Sequence, residues 1–561
     1  MSRIKVIPTT LKVKQLPPTA ISMSNMLFNK TGSWRNYKPE YAEKLPPCNA
    51  ACPAGEKIQG YLDLIKNGKF TEAWHLLKQD NPLPAVCGRV CFHPCEVECN
   101  RGDYDDAIGI HNVERIIGDY GLRHNLRVKK TGARRKQQIA IIGGGPAGIS
   151  SAYHLARMGY KPTIFEAERQ LGGMLQYGIP SYRLPKNILQ KEINSIIKIG
   201  VKVKTGMRVG KNLFIEELAR KYHAVVIATG AYKERALDIP GEEARGVIGA
   251  LDFLHEVNSG HRPKISKDVV IIGGGNAAMD AARSALRMGA HPKVVYRRTR
   301  NEMPAIPDEI RDAEEEKIDF VFLAAPVKVI TKNGKAAAIE CIRMKLGSAD
   351  SSGRRKPVPI KGSNFRIKTG TIIKAIGESP ETSFIPANIL KDNLVGADKW
   401  GVTEGRNIFA AGDAVTGPKT VVEAIGAGKR AAQAIDKYVR TGKVTIKELP
   451  EVKPVRFEQL NTAYFEHAPR VSMPHLEFKE RIRSTKEVYL GYNAQNAITE
   501  SERCFSCGVC NFCDNCWVFC PDMAVIKTKN KYEFNYDYCK GCGICASECP
   551  RNVISLVEEK K

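Results

Sequence analysis

Short apolar runs that stop at glycine dominate the middle of the chain. Two of them, QIAII at 138–142 and DVVII at 268–272, each precede three consecutive glycines, and apolar residues at helical spacing follow both. A buried strand, a glycine turn and a helix in this order, repeated from residue 137 onward, predict parallel α/β sheets.

The regions on either side follow other patterns. Between 41 and 120, apolar residues recur at helical spacing: Ile58, Leu62, Ile65, Trp74 and Leu77. This spacing predicts a helical domain. Residues 1–40 show no hydrophobic period, and residues 441–500 are polar and interrupted by proline. We expect an irregular basic arm in the first case and a connector in the second.

Composition limits the class of protein. At 561 residues the chain exceeds a single core, and about 150 residues per domain suggests three to four units. No apolar run is long enough to span a membrane, and the N-terminus lacks the apolar stretch of an export signal. The net charge of +26 suits an acidic partner. We expect a cytoplasmic protein, in which seventeen cysteines indicate metal binding rather than disulfides.

The first glycine cluster has the spacing of a dinucleotide site. Gly143, Gly145 and Gly148 open a helix, and Glu166 ends the strand that follows it. The first glycine allows a tight turn, the second lets the backbone approach a pyrophosphate, and the third lets helix and strand pack closely. The helix N-terminus supplies N–H groups to the phosphates, and Glu166 can accept hydrogen bonds from ribose hydroxyls.

Further residues suggest which dinucleotide binds there. They lie in a glycine pair or directly after strands: Gly173, Thr229, Gly230, Gly412 and Asp413. Together with the first cluster they resemble the two-dinucleotide flavoprotein oxidoreductases. The resemblance implies that the first fold binds FAD and that Asp413 reaches its ribityl chain and second phosphate. A plain turn or helix cap is the alternative for Asp413.

The second glycine cluster differs in one respect. Gly273, Gly275 and Ala278 form Gly-x-Gly-x-x-Ala, a variant common for nicotinamide nucleotides. No acid ends the following strand, and Arg297 and Arg298 occupy that place. An acid would repel a 2′-phosphate, whereas arginine can bind it through two hydrogen bonds. The pair therefore favours NADP(H) over NAD(H), and solvated surface charges are the alternative.

The C-terminal region carries two copies of Cys-x2-Cys-x2-Cys-x3-Cys-Pro. This is the bacterial ferredoxin signature, in which the fourth cysteine of each run ligates the other 4Fe–4S cluster. One predicted ligand set comprises Cys510, Cys513, Cys516 and Cys549. The other comprises Cys520, Cys539, Cys542 and Cys545. Structural zinc is the alternative, although it does not need the x3-Cys-Pro ending. Cys504 and Cys507 extend the run upstream as spares or as an alternative ligand register.

A third cysteine group lies near the N-terminus, in LPPCNAACPAG and AVCGRVCFHPCEVECNRG. It resembles the N-terminal iron–sulfur domain of the glutamate synthase small subunit. The matching positions are Cys48, Cys52, Cys91, Cys95, Cys99 and Glu114. Two-cluster relatives have a further CxxC upstream that is missing here, so the resemblance implies one cluster. Its ligands would be Cys52, Cys91 and Cys95, with Cys48, Cys99 or Glu114 as the fourth. Cys87 and Cys341 are expected to be buried apolar side chains.

These motifs predict an α/β protein. Two interleaved Rossmann-type dinucleotide-binding domains follow a helical iron–sulfur domain and precede a bacterial ferredoxin-like α+β domain. The expected parts are 1–40, basic arm; 41–122, helical iron–sulfur domain; 123–136, basic linker; 137–245, first part of the FAD domain; 246–375, NAD(P) domain; 376–440, second part of the FAD domain; 441–500, connector; and 501–561, ferredoxin-like domain.

The predicted function is an NAD(P)H oxidoreductase with FAD and three 4Fe–4S clusters. Hydride transfer is carried by FAD, so no catalytic side chain is expected. The expected partner is a redox protein, and resemblance over the whole chain points to the dissimilatory sulfite reductase system. The alternatives are a glutamate synthase small subunit, an oxidoreductase that serves ferredoxin or another reductase, and a zinc protein that binds nucleic acid. We expect neither nucleic acid nor a membrane as partner, and a homodimer is left open.

Overall fold

The computed structural model describes residues 30–350, 353–446 and 452–559. They fall into two compact units. Unit 1 takes its residues from Met1–Lys44, Glu458–Phe465 and Ser506–Lys561, and unit 2 from Leu45–Phe457 and Glu466–Phe505. Most of the predicted basic arm, residues 1–29, lies outside the described residues.

The helices of the described residues number as follows in chain order. The first group is α1 (Pro47–Ala51), α2 (Ile58–Lys66), α3 (Phe70–Leu77), α4 (Pro84–Val90), α5 (Pro94–Val97) and α6 (Ile110–Arg123). The second is α7 (Pro146–Arg157), α8 (Met174–Tyr177), α9 (Lys186–Ile197), α10 (Ile215–Lys221), α11 (Ala250–Asn258), α12 (Asn276–Arg287) and α13 (Pro307–Glu315). The last is α14 (Asp413–Thr416), α15 (Val421–Thr441), α16 (Phe478–Arg481), α17 (Ala494–Glu502), α18 (Asn515–Val518) and α19 (Ile544–Ser547).

The strands of the same residues are numbered in the same way. The first group is β1 (Tyr37–Tyr41), β2 (Gln138–Ile142), β3 (Lys161–Phe165), β4 (Lys202–Lys204), β5 (Ala224–Ile227), β6 (Lys233–Glu234) and β7 (Val247–Gly249). The second is β8 (Asp268–Ile272), β9 (His291–Tyr296), β10 (Asp319–Phe322), β11 (Ala324–Lys332), β12 (Lys335–Ala349), β13 (Arg355–Lys368) and β14 (Thr371–Lys374). The last is β15 (Glu378–Ser379), β16 (Leu390–Lys391), β17 (Leu394–Val395), β18 (Ile408–Ala410), β19 (Val525–Lys527), β20 (Tyr532–Phe534) and β21 (Ile554–Glu558).

Unit 2 contains two parallel sheets whose strands are interleaved along the chain. The first has the order β18-β5-β2-β3-β4, and the second has the order β10-β9-β8-β14-β7. Strand β18 returns to the first sheet after the chain has completed the second, and it pairs with β5 in parallel. Apolar strands buried on both faces, such as β5, are typical of a parallel sheet covered by helices. The predicted fold class is confirmed.

An antiparallel sheet, β11-β12-β13, is inserted into the second Rossmann domain between β10 and β14. Its strands β12 and β13 are 15 and 14 residues long. The hydrophobic pattern did not predict this sheet, because the exposed face of a meander carries few apolar residues.

The segment predicted as a connector is partly helical, and its described residues outside Glu458–Phe465 belong to unit 2. Helix α17 includes position 501, which was the predicted start of the ferredoxin domain. Within unit 2, Arg481 pairs with Glu315 at 2.8 Å, and the Tyr489 hydroxyl donates to Asp312 at 2.9 Å. These contacts attach the segment to α13 of the second Rossmann domain.

Unit 1 is a small α+β domain to which the N-terminal region contributes a strand. Strand β1 pairs with β21 in antiparallel register, with Tyr37 opposite Glu558 and Tyr41 opposite Ile554. A regular strand therefore occupies part of the segment for which an irregular arm was expected. Pairing between residues about 500 positions apart leaves no local signal in the sequence.

No helix among the described residues is apolar over a length that would cross a bilayer.

Replacing Arg35 by alanine is expected to destabilise unit 1. The guanidinium pairs with Glu559 at 2.6 Å and donates to the carbonyl oxygens of Tyr536 and Cys539. Loss of these partly buried bonds should lower the free energy of unfolding by about 1–3 kcal/mol. Urea unfolding followed at the visible absorption of the iron–sulfur clusters measures it.

Lys30→Ala is the matched control. Lys30 pairs with Asp537 at 2.9 Å, but both side chains are more than half exposed. A solvent-exposed pair contributes little to stability, because water and salt screen its charges. Equal losses in the two variants would contradict a specific role for Arg35.

Candidate dinucleotide cleft and iron–sulfur sites

The turn after β2 is shaped by glycine. Gly143 has φ of +101°, and a Cβ there would lie 2.3 Å from the carbonyl oxygen of Ala228, so a side chain cannot be accommodated. At Gly145 the nearest atom to an added Cβ is 4.0 Å away, on Gly173. The second glycine therefore faces open space at the N-terminus of α7, where a pyrophosphate would approach the backbone N–H groups.

Glu166 directly follows β3 and is held by two backbone donors. Its Oε2 accepts from the N–H of Gly144 at 2.7 Å, and its Oε1 accepts from the N–H of Glu168 at 2.8 Å. Burial raises the pKa of Glu166, and these hydrogen bonds act against that rise. The arrangement fixes the carboxylate beside the glycine turn, where it can accept from a ribose.

Two later strands place further polar groups near this turn. Thr229 follows β5, and its buried hydroxyl has no hydrogen-bond partner among the described residues. Asp413 follows β18, and burial raises the pKa of its carboxyl to about 6. Its Oδ1 accepts from the N–H of Lys419 at 3.2 Å. A buried hydroxyl without a partner beside a cavity is the kind of group that a polar ligand satisfies.

The second glycine turn has the same construction. Gly273 has φ of +144°, and a Cβ there would lie 2.1 Å from the carbonyl oxygen of Ala375. Around Gly275 the nearest atom to an added Cβ is on Pro304, 4.0 Å away. Both turns therefore leave backbone exposed on the side that a dinucleotide would use.

Both turns open into one cleft of about 1600 Å³ within unit 2. Most of the predicted binding residues line it: Gly143, Gly145, Glu166, Gly173, Thr229, Gly230, Asp413, Gly273, Gly275, Arg297 and Arg298. Gly148, Ala278 and Gly412 lie behind the surface, where close packing requires small residues; a Cβ at Gly148 would lie 2.0 Å from the Gly143 carbonyl oxygen. The residues therefore fit two dinucleotides that share a cavity.

Arg297 and Arg298 have different surroundings. Arg297 is exposed at the end of β9, whereas the Arg298 side chain is 5% exposed and forms an ion pair with Asp350 at 2.5 Å. Arg298 also donates through Nε to the carbonyl oxygen of Arg355 at 2.7 Å. Its charge is therefore already partnered, unlike that of a solvated surface arginine.

Sequence reasoning missed three polar residues of the cleft. Arg183 and Asp280 form an ion pair at 2.6 Å that joins the two Rossmann domains, and Arg354 comes from the antiparallel hairpin. Asp280 could have been noticed, because it is a lone acid among alanines in the first turns of α12. Arg354 had no such signal.

In unit 1 the two predicted ligand sets line two separate cavities. One is lined by Cys510, Cys513, Cys516 and Cys549. The other is lined by Cys520, Cys539, Cys542 and Cys545. The fourth cysteine of each run lies with the first three of the other run, which is the arrangement of a two-cluster ferredoxin.

The surroundings of these cysteines suit iron–sulfur clusters that are ligated by thiolates. Backbone N–H groups of Phe512 and Ala524 donate to the sulfur atoms of Cys510 and Cys520 at 3.5 and 3.3 Å. Such N–H···S bonds stabilise the negative charge of a bound cluster and tune its potential. Burial raises the pKa of Cys516 to about 12, and binding to a metal favours the deprotonated form of such a thiol.

The N-terminal cysteines are close neighbours in unit 2. Cys52, Cys91 and Cys95 are buried, and burial raises the pKa of Cys95, with further contributions from Glu96, Cys91 and Cys52. The backbone N–H of His93 donates to the sulfur of Cys91 at 3.4 Å. These three thiols and their donor fit one cluster.

The candidates for the fourth N-terminal ligand differ in their contacts. Glu114 is buried and accepts from the Asn81 side chain at 2.8 Å, and burial raises its pKa. Cys48 lies on α1, which packs against α5, the helix that carries Cys95. Cys99 accepts backbone hydrogen bonds from Arg101 and Ile108. A carboxyl already bonded to an amide is the weaker candidate, which favours a thiol.

The remaining cysteines have other environments. Cys87 and Cys341 are 1% and 0% exposed, as expected for buried side chains. Cys504 packs against the core of unit 2. Among the residues described for unit 1, Cys507 is not one of those that line either cavity.

Two parallel sheets whose glycine turns open into one cleft are typical of pyridine-nucleotide flavoprotein oxidoreductases. Residues 137–428 match the pyridine nucleotide-disulphide oxidoreductase family, and the chain belongs to it. Residues 42–126 match domain II of dihydropyrimidine dehydrogenase, a 4Fe–4S domain. Residues 532–555 match the 4Fe–4S binding domain.

Relatives refine this assignment. The beta subunit of the NADP(+)-dependent formate dehydrogenase of Moorella thermoacetica is 38% identical, over 82% of this chain and 70% of its own. The beta subunit of the NADPH-Fe(3+) oxidoreductase of Geobacter sulfurreducens is 38% identical, over 82% and 75%. The glutamate synthase [NADPH] small chain of Azospirillum brasilense is 33% identical, over 71% and 87%.

The chain is thus an iron–sulfur flavoprotein of the glutamate synthase small-subunit type and an NAD(P)H oxidoreductase, as predicted. These family matches support a pyridine nucleotide and 4Fe–4S clusters as cofactors. The alternative of a nucleic-acid-binding zinc protein is not supported by these matches.

Valine at Gly145 or Gly275 should separate the two nucleotide sites. Both glycines have φ values open to any residue, −76° and −92°, and both face open space. Gly145→Val should yield folded protein without flavin absorption. Gly275→Val should retain flavin but lose NADPH oxidation about 10- to 100-fold, the equivalent of one or two hydrogen bonds to a charged group. Unchanged NADPH oxidation in Gly275→Val would show that the second turn is not the nicotinamide nucleotide site.

Serine substitutions should remove the C-terminal clusters one at a time. Cys513 and Cys542 are exposed and belong to different ligand sets, so replacing either one leaves the packing intact. Each variant should lose about four iron atoms per chain. Iron and acid-labile sulfide analysis of anaerobically purified protein measures the loss. Cys341→Ser is the control and should keep its full iron content.

Proposed function

We propose that this chain transfers electrons between NADP(H) and a protein partner, through FAD and three 4Fe–4S clusters. When bound, FAD exchanges an electron pair with the nicotinamide and single electrons with the clusters. The protein binds these groups, orients them and excludes competing reactions. The observation that carries the proposal is the single cleft into which both glycine turns open.

The residues proposed to hold the flavin surround the first turn. Backbone N–H groups at Gly145 and the start of α7 face the pyrophosphate, and Glu166 accepts from the ribose. Asp413 and the unpartnered Thr229 hydroxyl are available to the rest of the molecule. The second turn, around Gly275, takes the phosphates of the nicotinamide nucleotide in the same way.

Three clusters are proposed from the cysteine environments. Two lie in unit 1, in the cavities lined by four cysteines each. The third lies in unit 2, held by Cys52, Cys91 and Cys95 with a fourth thiol from Cys48 or Cys99. All of these sites use reduced cysteines, because none of the cysteines forms a disulfide.

A redox protein is the proposed partner. Two relatives are named as beta subunits of a formate dehydrogenase and of an Fe(3+) oxidoreductase, which supports a role as the nucleotide-oxidising subunit of a larger assembly. The resemblance of the whole chain to the flavoprotein of the dissimilatory sulfite reductase system makes that reductase our first candidate.

Anaerobic reduction by NADPH tests the proposal. Holoprotein should contain about twelve iron atoms and about one flavin per chain. NADPH should bleach both the flavin and the cluster absorption, and the cluster part should shrink in Cys513→Ser and Cys542→Ser. A colourless protein, or one that NADPH does not bleach, would refute the proposal.

Partner identity requires a separate assay. Purified dissimilatory sulfite reductase should stimulate NADPH oxidation in the presence of sulfite if it is the acceptor. The rival is a glutamate synthase small subunit, favoured by the 33% identical relative. Glutamine-dependent NADPH oxidation with a glutamate synthase large subunit, and none with sulfite reductase, would support the rival.

A further inference from the structure

We propose that Arg354, together with Arg297, binds the 2′-phosphate of NADP(H), and that Arg298 is a positioning residue that holds Arg354 at the cleft. The inference deepens the proposed function, because it rests on the second glycine turn being the nicotinamide nucleotide site. It gives Arg297 and Arg298, which the sequence predicted together as a phosphate-binding pair, different roles.

Arg354 lies at the tip of a long hairpin. Strands β12 and β13 pair in antiparallel register up to Ala349 and Arg355. Beyond this pair, the backbone N–H of Asp350 donates to the carbonyl oxygen of Arg354 at 2.8 Å, and the N–H of Gly353 donates to that of Asp350 at 2.9 Å. These hydrogen bonds connect Asp350, Gly353 and Arg354, the described residues that we call the tip of the hairpin.

Arg298 fastens this tip to the end of β9. One side of the guanidinium pairs with Asp350 at 2.5 Å, and Nε donates to the carbonyl oxygen of Arg355 at 2.7 Å. Asp350 Oδ1 in turn accepts from the N–H of Arg354 at 3.3 Å. Arg298 thus contacts both arms of the tip, and its positive charge is balanced by a carboxylate in a nearly buried position.

The consequence is that Arg354 reaches the adenosine end of the nucleotide site. Arg297, Arg298 and Arg354 all line the cleft, whereas Asp350 is not among the described residues that do so. In a Rossmann fold the end of the second strand, here β9, lies beside the adenosine ribose. Arg354 directly precedes Arg355, whose carbonyl oxygen accepts from Arg298, so Arg354 and Arg297 both lie near the end of β9, where the 2′-substituent would lie.

The chemistry of the 2′-substituent makes this arrangement selective. A phosphate monoester carries about two negative charges and accepts hydrogen bonds at three oxygens, which suits two guanidinium groups. In NAD(H) the same position holds a neutral hydroxyl. Removing Arg354 should therefore weaken the binding of NADP(H) and leave the binding of NAD(H) unaffected.

Nucleotide binding to the full-length holoprotein tests the role of Arg354 without turnover. By calorimetry, wild-type protein should bind 2′,5′-ADP more tightly than 5′-ADP. Arg354→Ala should weaken 2′,5′-ADP about tenfold or more, as expected for a lost charge-assisted bond, and leave 5′-ADP unchanged. In assays, KM for NADPH should rise while kcat is retained.

Arg366→Ala is the matched control. Arg366 lies on the same strand, β13, its side chain is 71% exposed, and its nearest carboxylate is Glu340 at 3.6 Å. The charge change is the same, so a purely long-range electrostatic effect would appear in both variants. The inference would be overturned if both variants lost the same affinity for 2′,5′-ADP. It would also be overturned if Arg354→Ala lost the same affinity for 2′,5′-ADP and for 5′-ADP.

Substitution of Asp350 separates a positioning Arg298 from a phosphate-binding one. If Arg298 holds the tip, Asp350→Ala should weaken 2′,5′-ADP selectively, and Asp350→Asn, which keeps an acceptor, should restore part of the affinity. Tighter binding of 2′,5′-ADP to Asp350→Ala would overturn the inference, because it would show that Asp350 competes with the phosphate for Arg298.

The outcomes also distinguish the two proposals. Wild-type protein that prefers 2′,5′-ADP but is not bleached by NADPH would refute the electron-transfer function and leave the phosphate site intact. Wild-type protein that is bleached by NADPH but binds 2′,5′-ADP and 5′-ADP equally would refute the phosphate site alone.

Discussion

Backbone N–H groups that stay open to a dinucleotide are the requirement that constrains the rest of unit 2. The N–H groups that can face a pyrophosphate lie at the carboxyl ends of parallel strands, at the start of a helix. Side chains would block the approach, which is why Gly145 and Gly275 face open space. Two such turns share one cleft because β18 returns to the first sheet after the second sheet is complete.

Unit 2 is held together by contacts between elements that are far apart in the sequence. The pair of Arg183 and Asp280 joins the two Rossmann domains, and Arg481 and Tyr489 attach the following segment to α13. Buried charges of this kind are costly unless they are paired, so each pair restricts how the domains can be arranged. The hairpin β12–β13 adds a cation, Arg354, to the lining of the same cleft.

The iron–sulfur sites show how much a spacing motif can specify. A Cys-x2-Cys-x2-Cys run places three thiols around one cavity through local backbone geometry, and the x3-Cys-Pro ending sends the fourth thiol to the neighbouring cavity. The N-terminal group lacks such regular spacing. There the thiols come from α1, α4 and α5 and the turns beside them, and only the packing of those helices brings them together.

Local patterns in the sequence determined the two nucleotide turns, the parallel sheets and the C-terminal ligand sets. The turns and sheets depend on residues within about 30 positions of one another. The ligand sets depend on a motif whose fourth cysteine is known to ligate the cluster of the other run. Tertiary structure alone decided the pairing of β1 with β21, the attachment of the segment around Arg481 to α13, and the contact of Arg298 with Arg355. Their partners are 57 to more than 500 residues away, and an exposed strand or a surface arginine has the same local pattern whatever it meets. The physical reason is that a strand or a charged side chain pairs with the complementary group that packing brings close to it. Composition and spacing do not show which group that is.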